Sequence, residues 1–235
     1  MSSVIGFVPA VLLLYILLRR YEGLFLEKYV FILFAVGMVV GMIVSVFHMF
    51  SEYSLLVLVI LFPLFEELVK LVILNTPKLQ LKRETVYYGA GLGLGIGSMS
   101  IIAIAFRVFI DYPETIGNPQ TYFDLVVLSF NFCLLHSATG VIIGHGCSKG
   151  EIFKFFFRAY ILHAVYNLFF LIYTISGGVW KYGPLFVATL FAIGLFWYVL
   201  RGLLPEAVPP DMQKKRRRDI RKRVREKRKN SNTGP

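Results

Sequence analysis

Cysteine is nearly missing from this sequence, with two among 235 residues. Cys133 and Cys147 fall on one predicted helix, fourteen positions apart, which is about 21 Å along a helix axis. That is beyond disulfide reach, so no cross-link is expected. Residues 1–10 contain no basic residue, and charge follows the first apolar run instead of preceding it. This excludes the pattern of a removed signal peptide and makes the first run a retained anchor. No retention or lipidation motif is present, which favours a prokaryotic plasma membrane over the endoplasmic reticulum. Acidic residues number 14 against 25 basic ones. The excess is local, because 12 of the basic residues lie in 214–229. That segment has no aromatic residue, so it has no platform for base stacking and no means of sequence-specific RNA reading.

Long apolar runs are what the chain does have. Hydrophobic residues make up 57% of it and mean hydropathy is +0.67. A spanning helix needs roughly 20 mostly apolar residues to cross about 30 Å of hydrocarbon. Seven stretches qualify, at 4–18, 29–50, 53–75, 88–110, 122–147, 153–173 and 180–204. The expected fold is therefore an all-α, polytopic membrane bundle of about seven transmembrane helices, with a membrane domain over 1–204 and a polybasic tail over 205–235. Alternate loops carry the positive charge: Arg19, Arg20 and Lys28, then Lys78, Lys82 and Arg83, then Lys149, Lys154 and Arg158. The opposite set holds only Lys181. Basic loops stay cytoplasmic, so the N-terminus is expected outside and the tail inside. Pro205, Pro209 and Pro210 end the last helix. In the tail, Lys214, Lys215, Arg216, Arg217 and Arg218 begin a stretch suited to anionic lipid. An RNA or ribosome contact is the other reading, since phosphate neutralisation needs no fold.

The fourth run opens with glycine at 89, 91, 93, 95 and 97. No strand precedes it, so it is not a dinucleotide loop. Glycines four apart strip two helix faces of side chains and let neighbouring helices approach closely in lipid.

Ionisable residues inside apolar runs are costly and normally face a protein interior or a cavity. The third run carries Glu66, Glu67 and Lys70, with Glu66 and Lys70 one turn apart in the favourable acid-before-base order. His136 lies in the fifth run, and His163 and Asn167 share one face of the sixth. Counted from the nearer helix ends, Glu66, His136 and His163 all lie roughly 14–17 Å deep. Three such groups at one level predict a single buried site. Two imidazoles and a carboxylate would suit zinc with one position open. Without metal, Glu66 would be a general base, with the histidines and Asn167 stabilising an oxyanion. An internal ion pair that only fixes packing is the plain alternative. A transporter is disfavoured, because no inverted repeat or pair of broken helices is visible.

Glu66-Glu67-Leu68-Val69-Lys70, the glycine-rich helix, His136 with Gly140 and Gly144, and His163 with Asn167 follow one another in that order. This series resembles the PrsW branch of the superfamily that contains the CAAX-processing endopeptidases, over roughly residues 4–170. The resemblance implies an intramembrane protease acting on membrane proteins. Glu66, His136, His163 and Asn167 would then be catalytic, the first three also possible zinc ligands, and Glu67, Lys70 and Ser100 would support them. The family's acid on the glycine-rich helix is replaced by Ser100. The Aph subunit of gamma-secretase, similar to this superfamily, also lacks that acid. This implies a second possibility, a non-catalytic scaffold or chaperone for partner transmembrane proteins, and a related translocon component adds ribosome contact as a role for the tail.

Overall fold

The computed structural model describes residues 2–50 and 55–210, and every regular element among them is helical. The basic tail, including Lys214, Lys215, Arg216, Arg217 and Arg218, lies outside the described residues. The helices are α1 Ser2–Tyr21, α2 Glu27–Phe50, α3 Phe62–Leu74, α4 Thr85–Asp111, α5 Pro119–Lys149, α6 Ile152–Ile175, α7 Tyr182–Arg201 and the short α8 Leu203–Glu206. Among the described residues, six stretches are long and apolar enough to cross a membrane: Val4–Tyr21, Glu27–Phe47, Thr85–Asp111, Pro119–Lys149, Ile152–Ile175 and Gly178–Glu206. The chain is an integral membrane protein.

The third apolar run departs from expectation. It is not one continuous α-helix but a π-helical segment, Leu55–Leu61, leading into α3. At 13 residues, α3 alone is about 20 Å long and too short to cross. Pro63 explains the break. In a π register each carbonyl is taken by the N–H five residues on. For the carbonyl of Leu58 that residue is Pro63, which has no N–H to give. The π register ends there and α3 begins.

Helix α5 is the axis of the bundle, touching α1, α3, α4, α6 and α7. Its start is set by Asn118, whose side chain accepts from the Gln120 N–H at 2.9 Å, with Pro119 in the first turn. Its end is set by Gly150 in the left-handed region at φ 74°. Polar residues lie along its whole length and are buried because neighbours surround it. Helix α4 fits between α5 and α2 by its two glycine faces. A Cβ on Gly93 would strike the backbone carbonyl of His136, and one on Gly95 the carbonyl of Phe34 on α2. The same seam runs along α5 from Gly140, against Gly89, to Phe132, against Gly97. Helices α4 and α5 are antiparallel, so this seam occupies the half of the bundle nearer the ends of α1, α5 and α7. That side is called the C-terminal face below, and the side where those helices begin the N-terminal face.

Candidate functional site

Each charged residue at the bundle centre is placed by a local device. On α3, one and a half turns carry Glu66, Glu67 and Lys70 inward, while Phe65, Leu68 and Val72 face outward as exposed apolar groups. The inward stripe opposes α5 and α6, which supply His136 and His163. A carboxylate oxygen of Glu66 and one nitrogen from each ring all lie within 4.8 Å of one another, and all three residues are buried. Glu66 Oε2 is 3.7 Å from His136 Nδ1 and 3.6 Å from His163 Nε2. The rings meet edge to face with centroids 4.9 Å apart.

Glu67, which the sequence leaves without an evident partner, has two. Its Oε1 accepts from Lys70 Nζ at 2.6 Å and from His163 Nδ1 at 2.7 Å. A carboxylate only accepts, so His163 carries a proton on Nδ1, and in the neutral ring Nε2 presents a lone pair toward Glu66. Lys70 Nζ also donates to Thr139 Oγ1 at 2.7 Å and lies 3.1 Å from His136 Nδ1. An ammonium only donates, so Nδ1 of His136 is the acceptor and the neutral ring carries its proton on Nε2. Thr139 was not singled out in the sequence. Its signal was its position three residues after His136, in the polar run His136-Ser137-Ala138-Thr139.

Two carboxylates, one ammonium and two imidazoles share a group where no side chain is more than 4% exposed. Charges buried to that degree are costly unless they are paired or hold a ligand. The donor set suits zinc. The Glu66–His163 and Glu66–His136 separations of 3.6 and 3.7 Å are close to the roughly 3.4 Å between ligands that sit about 2.0–2.1 Å from a tetrahedral zinc. The carboxylate behind His163 is the usual orienting partner of a metal-bound imidazole. Ligation through His136 Nδ1 would require Lys70 to release that nitrogen while keeping Glu67 and Thr139.

Two further candidate residues have hydrogen-bond partners outside the cluster. Asn167 was expected to be an oxyanion donor, but its Nδ2 donates to the carbonyl of Leu58 at 2.8 Å. This is the carbonyl that Pro63 leaves without its π-register partner. Asn167 therefore clamps the π segment to α6. Ser100 was expected beside the cluster. Its hydroxyl instead donates to the Ile96 carbonyl of its own helix at 3.0 Å, and it supplies no group to the Glu66, His136 and His163 constellation.

On the side toward the N-terminal face the cluster has an aromatic roof. Phe132 stacks on His136 with centroids 6.0 Å apart and meets Phe170 edge-on at 5.4 Å and Tyr166 at 5.8 Å. On the other side the Gly89–Gly140 contact leaves no space between α4 and α5. Comparison of the chain with protein-family models, with curated proteins and with solved structures returns no match.

Proposed function

We propose that this integral membrane protein is an intramembrane endopeptidase of the PrsW type, hydrolysing a peptide bond of another membrane protein at the Glu66, His136 and His163 cluster. One observation carries the reading: a carboxylate and two imidazoles from three helices converge within 4.8 Å, buried inside the bundle, with Glu67 fixing the orientation of one ring. Intramembrane ionisable groups are costly and mark functional sites, and an orienting carboxylate behind one ring is what a hydrolytic site needs beyond simple pairing.

In this reading Glu66 takes a proton from water as its oxygen attacks the substrate carbonyl carbon. The C–N bond then breaks, and the proton passes to the departing nitrogen. His163, held by Glu67 through Nδ1, receives that proton from Glu66 on Nε2, and the resulting imidazolium stabilises the negative charge on the tetrahedral oxygen before the proton goes to the nitrogen. Lys70, bonded to Glu67 at 2.6 Å, holds that carboxylate in place. Zinc bound by Glu66, His136 and His163 would supply Lewis-acid polarisation and a more acidic water. Asn167 acts at a distance by fixing the π segment that precedes α3. The basic loops fall on the C-terminal face, which this reading places in the cytoplasm, with a prokaryotic plasma membrane as the location and anionic lipid as the contact of the basic tail.

The test uses the full chain purified in lipid nanodiscs, with metal content measured and cleavage of co-purifying membrane proteins followed by mass spectrometry. Glu66→Gln and His163→Ala are expected to lower cleavage by about 10²–10⁴-fold, with the fold retained. Unchanged cleavage in both variants would overturn the assignment.

A second reading is an Aph-like scaffold that holds partner transmembrane proteins. It is favoured by the Lys70 ammonium seated between Glu67, Thr139 and His136, and by Ser100 in place of an acid. It predicts a stoichiometric membrane-protein partner that stays bound in Glu66→Gln, with no cleavage in any form and no bound metal.

A further inference from the structure

Above the cluster, toward the N-terminal face, lies a cavity of about 920 Å³ between α4, α5, α6 and the start of α7. Two helices separately connect it to the cluster. On α5 the lining residues Thr121, Leu125 and Leu128 continue at helical spacing through Phe132 to His136. On α6 the lining residues Thr174 and Phe170 continue through Asn167 to His163. Leu128 is eight residues from His136 and Phe170 seven from His163, so the cavity floor is about 10–12 Å from the rings. Along these stripes the Phe132–Phe170 contact lies directly beneath the floor, with Asn167 one turn deeper on α6. The fourth wall is Ile104 and Val108 of α4, past the last glycine of the α4–α5 seam.

The cavity is amphipathic in an ordered way. Its depth is apolar, at Ile104, Leu125, Leu128 and Phe170. Its mouth is polar: Asp124 accepts from Lys181 at 2.6 Å, from Gln120 at 3.0 Å and from Tyr173 at 3.2 Å. An apolar floor under a hydrogen-bonding rim, at the volume of an ordinary ligand site, suits a few apolar residues of an extended polypeptide whose backbone emerges at the rim.

We propose that this cavity is the substrate vestibule of the cluster. It takes an apolar, unwound segment of a membrane protein from the N-terminal face, and Phe132 with Phe170 forms the gate through which that segment and water reach His136 and His163. The inference rests on the hydrolytic reading for the purpose of the cavity, but its geometry is tested without any cleavage.

The experiment is thiol labelling of the full-length protein in nanodiscs with a charged methanethiosulfonate reagent. Unsubstituted protein is the blank, because Cys133 and Cys147 are buried and neither lines the cavity. Leu128→Cys is expected to label readily and Thr139→Cys, behind the gate, to resist. Adding Phe132→Ala to Thr139→Cys is expected to raise labelling toward the Leu128→Cys rate. Phe132→Trp or the lipid-facing Phe106→Ala is expected to leave it slow. If Phe132→Ala is not monodisperse, Phe170→Ala carries the same comparison. Capped trileucine is expected to slow Leu128→Cys labelling by about tenfold at roughly ten times its Kd, and capped triaspartate to have no effect.

The vestibule is overturned if Leu128→Cys is unreactive, if neither phenyl deletion opens Thr139→Cys, or if phospholipid protects and trileucine does not. Gated labelling with trileucine protection, in a protein that cleaves nothing, would leave the vestibule standing and remove the peptidase reading.

Discussion

The two halves of α4 behave differently. From Gly89 to Gly97 the helix has almost no side chains on its contact faces, and backbone lies against backbone on both α5 and α2. From Ile104 onward it carries branched side chains, and the space beside α5 opens into the cavity. One helix therefore seals the cluster on the side of the C-terminal face and leaves room on the other. The switch from small to large side chains decides where the two helices touch and where space is left between them, since close approach in lipid depends on small residues. The catalytic reading needs both halves: a dry, rigid floor that holds charges in place, and an approach that can open.

The sharpest way to break the comparison is to fill the sealed half. Gly93→Leu puts a side chain into the His136 carbonyl. Backbone cannot yield as a flexible side chain does, so the loss is expected to exceed the ordinary overpacking cost of about 1–3 kcal/mol and to yield no monodisperse protein on gel filtration. Gly194→Leu on α7 meets open space and is expected to change the thermal midpoint little. Equal outcomes for the two would dissolve the distinction between a sealed and an open region. Next in size is Lys70→Met, which leaves Glu67 buried without its ammonium and is expected to cost about 3–5 kcal/mol. Lys70→Met with Glu67→Leu, measured by denaturant titration in detergent, should recover much of that loss. No recovery would mean that Lys70 acts through something other than the ion pair.

The spanning helices were legible because apolar length in lipid is a strong constraint that few other features imitate. The convergence of Glu66, His136 and His163 was legible for a related reason, since three costly groups at similar depth must find one another. Their pairing was not. Helical spacing puts Glu66 and Lys70 on one face, yet the 2.6 Å contact is made by Glu67, because His163 and Thr139 draw the cluster to that side of α3. No count along a single helix contains this information. The π segment was missed for the same kind of reason. Pro63 was visible, but whether proline kinks a helix, ends it or shifts it to a π register depends on what takes the carbonyl it abandons. That partner, Asn167, is more than a hundred residues away in sequence. The Gly-rich helix was read as packing, which describes its first half; the cavity beside its second half left no mark in the sequence.

Smaller effects sharpen the account of the π segment. Asn167→Ala leaves the Leu58 carbonyl buried without its donor and is expected to cost about 1–3 kcal/mol. Cleavage should fall with it, because the start of α3, and so Glu66, is no longer held. Pro63→Ala restores an N–H five residues after Leu58, so the pair Asn167→Ala with Pro63→Ala should be more stable than Asn167→Ala alone. If Asn167 were instead an oxyanion donor, restoring that N–H would leave activity low. The pair therefore separates a positioning role from a chemical one, with thermal midpoint and cleavage rate as the two readouts.

The smallest effect is expected at Ser100. Its hydroxyl donates to a carbonyl within its own helix, and that carbonyl keeps its helical partner when the hydroxyl is removed. Ser100→Ala should therefore stay within about 0.5 kcal/mol of the parent and leave cleavage and metal content unchanged. A large loss of either would mean that Ser100 turns toward the cluster during the reaction. Position 100 would then belong to the chemistry of this chain, and the division of α4 would have to be redrawn one turn further toward the N-terminal face.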